Sequence, residues 1–183
     1  MHSRAISRGP IRPASQFLAL SAGLSLMIGC GSDGSSSTGL DIQDLAGTYT
    51  LTTLAFDPQG ALPEANILEA LGVSPELIVT ANNQAQIVYQ DPISGLFTTI
   101  SATAKTSKTA LRLTFAGSSA YADLLLSRNM TLTYSEGSGA LAFDDDAPDG
   151  VRRQKLVRLI TAWENEQLFD PVPGRMRVTF QRK

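Results

Sequence analysis

A repeated alternation of apolar and polar residues is the feature that most constrains what this chain can fold into. Four segments place apolar side chains at every second position: 84–90, 111–115, 130–134 and 175–181. Successive side chains of a β-strand point to opposite faces, so a period of two predicts strands with one buried and one solvated face. Looser patterns predict five further strands, over 48–56, 76–81, 96–104, 140–143 and 155–163.

The links between several of these predicted strands are short. Asn82 and Asn83 can adopt positive φ in a two-residue turn, and 106–109 and 136–139 connect the next pairs. Links of this length force neighbouring strands to run antiparallel. Two intervening segments predict short helices instead: 63–71, which Gly72 would end, and 118–126, which a serine would cap.

The stretch 151–167 fits two interpretations, and the strand one covers 155–163. As a helix it would place four apolar residues on one face: Leu156, Leu159, Ile160 and Trp163. As a strand it would alternate four residues on one face: Val157, Leu159, Thr161 and Trp163. Because a hairpin return follows, we predict a strand, with the indole of Trp163 buried near one end of the sheet.

Nine strands joined in sequence predict an up-and-down meander, which can remove its exposed edges by closing on itself. The fold class is therefore all-β and mainly antiparallel, a barrel with one or two short helices; a two-sheet β-sandwich is the alternative. The segment 45–51 resembles the Gly-x-Trp start of lipocalins, with Gly47 at the glycine and Tyr49 at the tryptophan. This resemblance, together with the order of elements over 45–182, implies a lipocalin-like barrel.

The first part of the chain has the pattern of an export signal. Arg4, Arg8 and Arg12 precede an apolar stretch at 17–28, and no acidic residue occurs before Asp33. A basic start, a short apolar core and a small residue before a cleavage point are typical of a secretory signal. The apolar stretch is shorter than the roughly 20 residues that a transmembrane helix needs.

The run 26–30, Leu-Met-Ile-Gly-Cys, resembles the lipobox of bacterial lipoproteins. The resemblance implies that residues 1–29 are removed and that Cys30 receives a diacylglycerol and an acylated amino end. Multiple acyl chains would then anchor the protein stably to a membrane. The alternative is an ordinary signal cleaved near Ala22, which would leave Cys30 as a free thiol.

Three segments follow from this interpretation: a signal at 1–29, a lipid-anchored linker at 30–39 and one barrel domain at 40–183. The linker has no apolar residue after Cys30, so we expect a flexible tether with an end-to-end distance of about 17 Å. In the lipoprotein family, aspartate directly after the lipidated cysteine marks inner-membrane retention. Gly31 stands at that position, which implies an outer-membrane protein facing the periplasm.

The residues left after cleavage exclude several functions. His2, the only histidine, lies in the predicted signal, and Cys30 is the only cysteine. Ser-His-Asp and Cys-His catalysis, and zinc sites built on these ligands, are therefore excluded. We expect a protein that is not an enzyme and needs no cofactor or metal. Removing three of 15 Lys and Arg and none of 17 Asp and Glu leaves 12 against 17, a charge of −5, which argues against nucleic-acid binding.

Three sets of charged residues have competing interpretations. The acidic run 144–149 could offer oxygen ligands to Ca²⁺, but it lacks EF-hand spacing, so we interpret it as a solvated turn. Four basic residues form a cluster directly after it: Arg152, Arg153, Lys155 and Arg158. This cluster either neutralises the acidic run, which we favour, or meets anionic lipid head groups. Glu164 and Glu166 are interpreted as solvated rather than as paired catalytic carboxylates.

Five aromatic residues are the candidates for the inward face of the barrel: Tyr49, Tyr89, Phe115, Tyr134 and Trp163. In a small barrel such side chains either line a ligand cavity or fill the core. Two functions remain open on this basis. The first is a lipid-anchored protein that binds a small apolar ligand inside the barrel. The second is a filled barrel whose outer surface contacts another envelope protein.

Overall fold

The computed structural model describes residues 39–183, apart from 73, 92–93, 118 and 147–149. Cys30, the predicted signal and nearly all of the linker lie outside the described residues. The predictions of cleavage and lipidation therefore concern a part of the chain on which the structure is silent. Among the described residues, no helix has the length and apolarity needed to cross a bilayer.

The described chain forms one antiparallel sheet of nine strands that closes on itself. Eight of the strands make a closed barrel because β1 pairs with both β3 and β9, and β2 is a two-residue addition to β1. The strands are β1 Gly47–Pro58, β2 Ala65–Asn66, β3 Glu76–Val79, β4 Gln84–Gln90, β5 Phe97–Thr106, β6 Ala110–Phe115, β7 Asn129–Ser135, β8 Ala140–Asp146 and β9 Gly174–Arg182. The predicted lipocalin-like, up-and-down barrel is confirmed.

The helices are short, and four of the five lie in the connections between strands. They are α1 Ile42–Leu45, α2 Ile67–Leu71, α3 Arg153–Leu159, and the 3₁₀ helices Ser119–Leu124 and Thr161–Trp163. The two predicted helical segments are thus confirmed in shorter form. Gly72 ends α2 in the left-handed conformation, with φ of 67°, as glycine after a helix commonly does.

The strand predicted over 155–163 is wrong. The segment forms α3 and the 3₁₀ helix Thr161–Trp163 instead. The physical reason is that β8 pairs directly with β9 along Ala140–Asp146, so the closed sheet has no place for another strand. The apolar face of the segment is buried all the same, because Leu156, Leu159 and Trp163 are among the core residues.

Strand β1 carries an extra residue that keeps its apolar side chains inside. The register between β1 and β9 shifts between Leu51 and Thr53, which is the signature of a β-bulge. Leu51 lies before the bulge, and Leu54 and Phe56 lie after it; all three are buried. The bulge therefore returns the alternation to the barrel interior and increases the local twist of the strand.

The two ends of the barrel differ in construction. At one end, here called the hairpin end, the links 80–83, 107–109 and 136–139 are short, and α1 lies beside them. At the opposite end, here called the helix end, the links 59–75, 91–96, 116–128 and 147–173 are longer, and all except 91–96 contain a helix. Antiparallel neighbours place the ends of β4 and β6 and the starts of β7 and β9 together at the helix end.

The hairpin end holds the start of the described chain firmly. The Tyr49 hydroxyl donates to the Leu45 carbonyl at 2.8 Å. The Arg182 guanidinium donates to the carbonyls of Asp44 and Ala46, each at 2.8 Å, and its carbon lies 5.9 Å from the Tyr49 ring centroid. Carbonyls at the end of a helix lack intrahelical partners, so Arg182 satisfies groups that α1 leaves open.

The helix end is closed by an aromatic contact. Trp163 is only 5% exposed, and its ring meets Phe56 edge to face, with centroids 6.4 Å apart. A Cβ on Gly174 would lie 2.3 Å from the Phe56 ring, so only glycine permits this approach. Phe56 is thereby fixed between β9 and the segment that follows α3. The predicted burial of Trp163 near the barrel end is confirmed, although a 3₁₀ helix rather than a strand carries it.

We predict that Trp163→Ala lowers the free energy of unfolding by about 3–5 kcal/mol, because it leaves a large cavity beside Phe56. Native tryptophan emission should be blue-shifted and should move to the red on denaturation. Phe169→Ala is the matched control, because Phe169 is 80% exposed and its loss should leave the melting temperature nearly unchanged. Equal melting temperatures for the wild type and Trp163→Ala would contradict the buried position of the indole.

Candidate functional site

Helix α3 lies across the helix end of the barrel and closes it. Leu156 is fully buried and Leu159 nearly so, which turns this face of the helix toward the core. Asp170 holds the start of the helix, since its Oδ1 accepts from the Arg153 amide at 3.1 Å. No side chain from within α3 caps its first turn, so this carboxylate from the following loop supplies the missing acceptor.

The basic cluster around α3 forms ion pairs with three other segments of the described chain. They are Arg152–Asp170 at 3.8 Å, Lys155–Asp123 at 3.7 Å and Arg158–Asp91 at 3.6 Å. A helix, not a strand, carries most of these residues, so they spread across the barrel opening. Because residues 147–149 lie outside the described part, pairing of the cluster with the run 144–149 stays a prediction.

The acidic run is only partly described, since residues 147–149 lie outside the described part. Asp144 pairs with Arg175 at 2.7 Å, across the β8–β9 ladder. Among the described residues, no three or more acidic, histidine or cysteine side chains are arranged to hold a metal ion. The interpretation of the run 144–149 as a solvated turn stays a prediction, because 147–149 are not described.

The five aromatic candidates are divided between the two ends of the barrel. Tyr49, fully buried, and Tyr134, half-buried, lie near each other at the hairpin end. Tyr89, Phe115 and Trp163 are buried toward the helix end, where Phe115 stacks on Tyr121 with centroids 5.6 Å apart. All five pack in or against one apolar core. None of them lines either of the two cavities at the helix end.

The larger of these cavities has a volume of about 670 Å³ and is here called the helix-end cavity. One side of it is formed by the 3₁₀ helix Ser119–Leu124 and the turn after that helix, and the other side by the beginning of α3. The start of β7 and the end of β8 border it as well. Its apolar wall consists of Tyr121, Ala122, Leu125, Leu126, Phe143 and Val151. Its charged lining consists of Arg128, Arg152, Lys155 and Asp145.

The smaller cavity, of about 450 Å³, lies between the loop after β1 and the loop 165–169. Glu166 is the only charged residue in its lining. Phe169 lies at its rim and is 80% exposed, while Leu96 and Phe97 at the start of β5 are 69% and 77% exposed. In the described chain these are the large apolar side chains left in contact with solvent, and all three lie at the helix end.

Leu125 has an unfavourable backbone conformation in the wall of the helix-end cavity. Its φ is +59°, in the left-handed region that leucine rarely adopts, and its side chain is only 6% exposed. The conformation ends the 3₁₀ helix and lets the Leu126 amide bond the Tyr121 carbonyl at 3.0 Å. A left-handed non-glycine residue costs about 1–3 kcal/mol, so the surrounding packing must hold Leu125 in place.

Sequence reasoning identified only part of this site. Arg152 and Lys155 were recognised as members of a basic cluster, whereas Arg128 and the leucines of 124–126 were not assigned to any site. Their side chains meet those of α3 only in the folded barrel.

Comparison with known proteins found no relative of this chain. No protein-family model matches it, and no curated protein or solved structure matches it either.

Two buried tyrosines give the domain a dependence on alkaline pH. Burial raises the pKa of Tyr49 above its ordinary value of 10.0, Arg182 partly opposes the shift, and Tyr134 adds to it. Burial also raises the pKa of Tyr89, helped by Asp123 and Asp91 and opposed by a hydrogen bond from Thr98 and by Arg158. Both phenols therefore hold their protons more tightly in the folded state than in the unfolded state.

We predict that stability falls as the pH rises above 10.0, since the unfolded chain then loses protons that the folded chain retains. Each tyrosine contributes a slope of about 1.4 kcal/mol per pH unit between its unfolded and folded pKa. Chemical denaturation of Tyr49→Phe/Tyr89→Phe should show a flatter pH profile. Tyr121→Phe keeps both buried phenols and should follow the wild type; an unchanged slope in the double variant would contradict the assignment.

Proposed function

We propose that this chain is a lipid-anchored protein of the bacterial cell envelope, without enzymatic activity, whose filled barrel presents the helix end to another envelope component. The observation that carries this proposal is the distribution of packed and open regions. Apolar side chains from all eight barrel strands are buried in one core, whereas two cavities and the exposed large apolar side chains of the described residues lie at the helix end.

A filled interior argues against the alternative of an apolar ligand inside the barrel. An eight-stranded barrel has room either for its own side chains or for one small ligand, so the burial of the inward side chains decides between them. Tyr49, Phe115 and Phe180 are among the largest fully buried side chains, and α3 covers the helix end. A ligand could enter only if α3 moved and core side chains gave up their contacts, so we favour the interaction module.

The position of the linker supports an outward-facing helix end. Arg182 binds the carbonyls at the end of α1 on the hairpin end, which is where the chain arrives from the proposed anchor at Cys30. Strands of seven to nine residues, such as β4, β8 and β9, separate the two ends of a barrel by about 20 Å at the usual strand tilt. This exceeds the root-mean-square reach of the linker, about 17 Å. The helix end would therefore project away from the membrane, into the periplasm if the outer membrane holds the anchor.

We predict that Cys30→Ala moves the protein from the membrane fraction to the soluble fraction. Stable anchoring needs more than one acyl chain, and Cys30 is the only cysteine that could carry the diacylglycerol. Ser35→Ala, in the same linker, is the matched control and should stay with the membrane. Sedimentation of Cys30→Ala with salt-washed membranes would show that the lipoprotein assignment is wrong.

We predict that contacts with an envelope partner concentrate at the exposed apolar residues of the helix end. A photoreactive amino acid at position 97 or 169 should yield a discrete crosslinked product in intact cells. The control position is 103, which is exposed on the outer wall of β5. Equal crosslinking at 97 and 103 would contradict an interaction surface at the helix end.

A further inference from the structure

The helix-end cavity combines a continuous apolar wall with an open polar side. Leu125, Leu126 and Val151 are 6–8% exposed and form the buried part of the wall, while Tyr121 and Phe143 are half-buried and border it. A volume of about 670 Å³ lies within the range of cavities that hold small organic molecules, about 300–1,000 Å³. The strained backbone of Leu125 presents two adjacent leucine side chains to this space.

The charge of the lining is opposite to that of the protein. Arg128, Arg152 and Lys155 contribute three positive charges against one negative charge from Asp145. The whole chain has a formal charge of −2. A concave site with apolar walls and an excess of positive charge favours ligands of the opposite sign.

The three cations are available to a ligand. The pairs Lys155–Asp123 and Arg152–Asp170 are 3.7 and 3.8 Å long and lie between side chains that are each more than a third exposed. Exposed pairs of this kind contribute little and exchange partners at small cost. Arg128 is exposed and forms no ion pair with any residue that the structure describes.

We propose that the helix-end cavity binds an anionic amphiphile. Its alkyl body would pack on Leu125, Leu126 and Phe143, and its carboxylate or phosphate head would lie between Arg128, Arg152 and Lys155. Guanidinium groups bind both kinds of head group through paired hydrogen bonds, which a neutral or cationic head cannot accept in the same way. This site lies outside the barrel core, between surface helices, and its occupation does not depend on the lipid anchor.

The test uses the full chain reconstituted in phosphatidylcholine vesicles. A fatty acid with a diazirine on its alkyl chain is photoactivated, and the labelled residues are mapped by mass spectrometry. Label is expected within 121–128 and at Phe143. Dodecanoate and dodecyl phosphate should suppress the labelling, whereas dodecyl maltoside and dodecyltrimethylammonium at equal monomer concentration should not. Equal competition by the neutral or cationic compound, or label distributed elsewhere, would overturn the proposal.

Variants test the charged part and the apolar part of the site separately. The triple variant Arg128→Gln, Arg152→Gln and Lys155→Gln should lose labelling by roughly tenfold or more, since charge-assisted hydrogen bonds are the strong ones. Ala122→Trp should fill the apolar half and lose labelling while all three cations remain. The matched control Lys105→Gln, Lys108→Gln and Arg112→Gln removes three exposed charges from outside the cavity lining and should label like the wild type. An equal loss in the control triple would overturn the proposal.

A second competition experiment identifies the source of the amphiphile. Phosphatidylglycerol is added to the same vesicles, and its ability to suppress labelling is compared with that of free dodecyl phosphate. Suppression by the lipid assigns the site to membrane phospholipid; suppression by the free compound alone assigns it to a soluble amphiphile. If neither competes, the proposal fails. The anchor is tested separately by fractionation of Cys30→Ala, so failure of either proposal can be recognised without the other.

Discussion

Hydrogen bonding between β1 and β9, the first and last strands of the barrel, closes the sheet and determines the rest of the architecture. The ladder runs from Tyr49 opposite Arg182 to Pro58 opposite Gly174, with one bulge between Leu51 and Thr53. It removes the free edges that an open sheet of this size would expose. The same ladder brings Arg182 to the carbonyls of α1 at one end and Gly174 under Phe56 at the other.

Closure also determines where the segment between β8 and β9 must go. Because β8 and β9 are already hydrogen-bonded neighbours, that long segment cannot enter the sheet. Its apolar residues, among them Leu156 and Trp163, can be buried only across the open end of the barrel. The barrel is thus filled by its own side chains and covered by its own chain. We therefore expect ligand or partner contacts on the outer side of α3 and in the loops around it.

The success and the failure of the sequence-based predictions have the same physical origin. Alternation in segments such as 84–90 reports local burial, and eight of the nine predicted strands follow from it. In 155–163 the residues Leu159 and Trp163 satisfy both a period of two and a helical face. Only the closed ladder, a contact between distant parts of the chain, decides between them. The helix-end cavity escaped prediction for a similar reason, because Arg128 and Lys155 belong to separate segments that meet only after folding.

The two ends of the barrel are held by different interactions. At the hairpin end, buried Tyr49 and the guanidinium of Arg182 make short hydrogen bonds to backbone carbonyls around α1. At the helix end, the inner side of α3 is buried through Leu156 and Leu159, whereas its outer side is joined to neighbouring loops by ion pairs of 3.6–3.8 Å. Exposed ion pairs contribute little to stability. The charged side chains on the outer side of α3 can therefore exchange partners while the buried face keeps the barrel closed, which suits the binding site that we propose there.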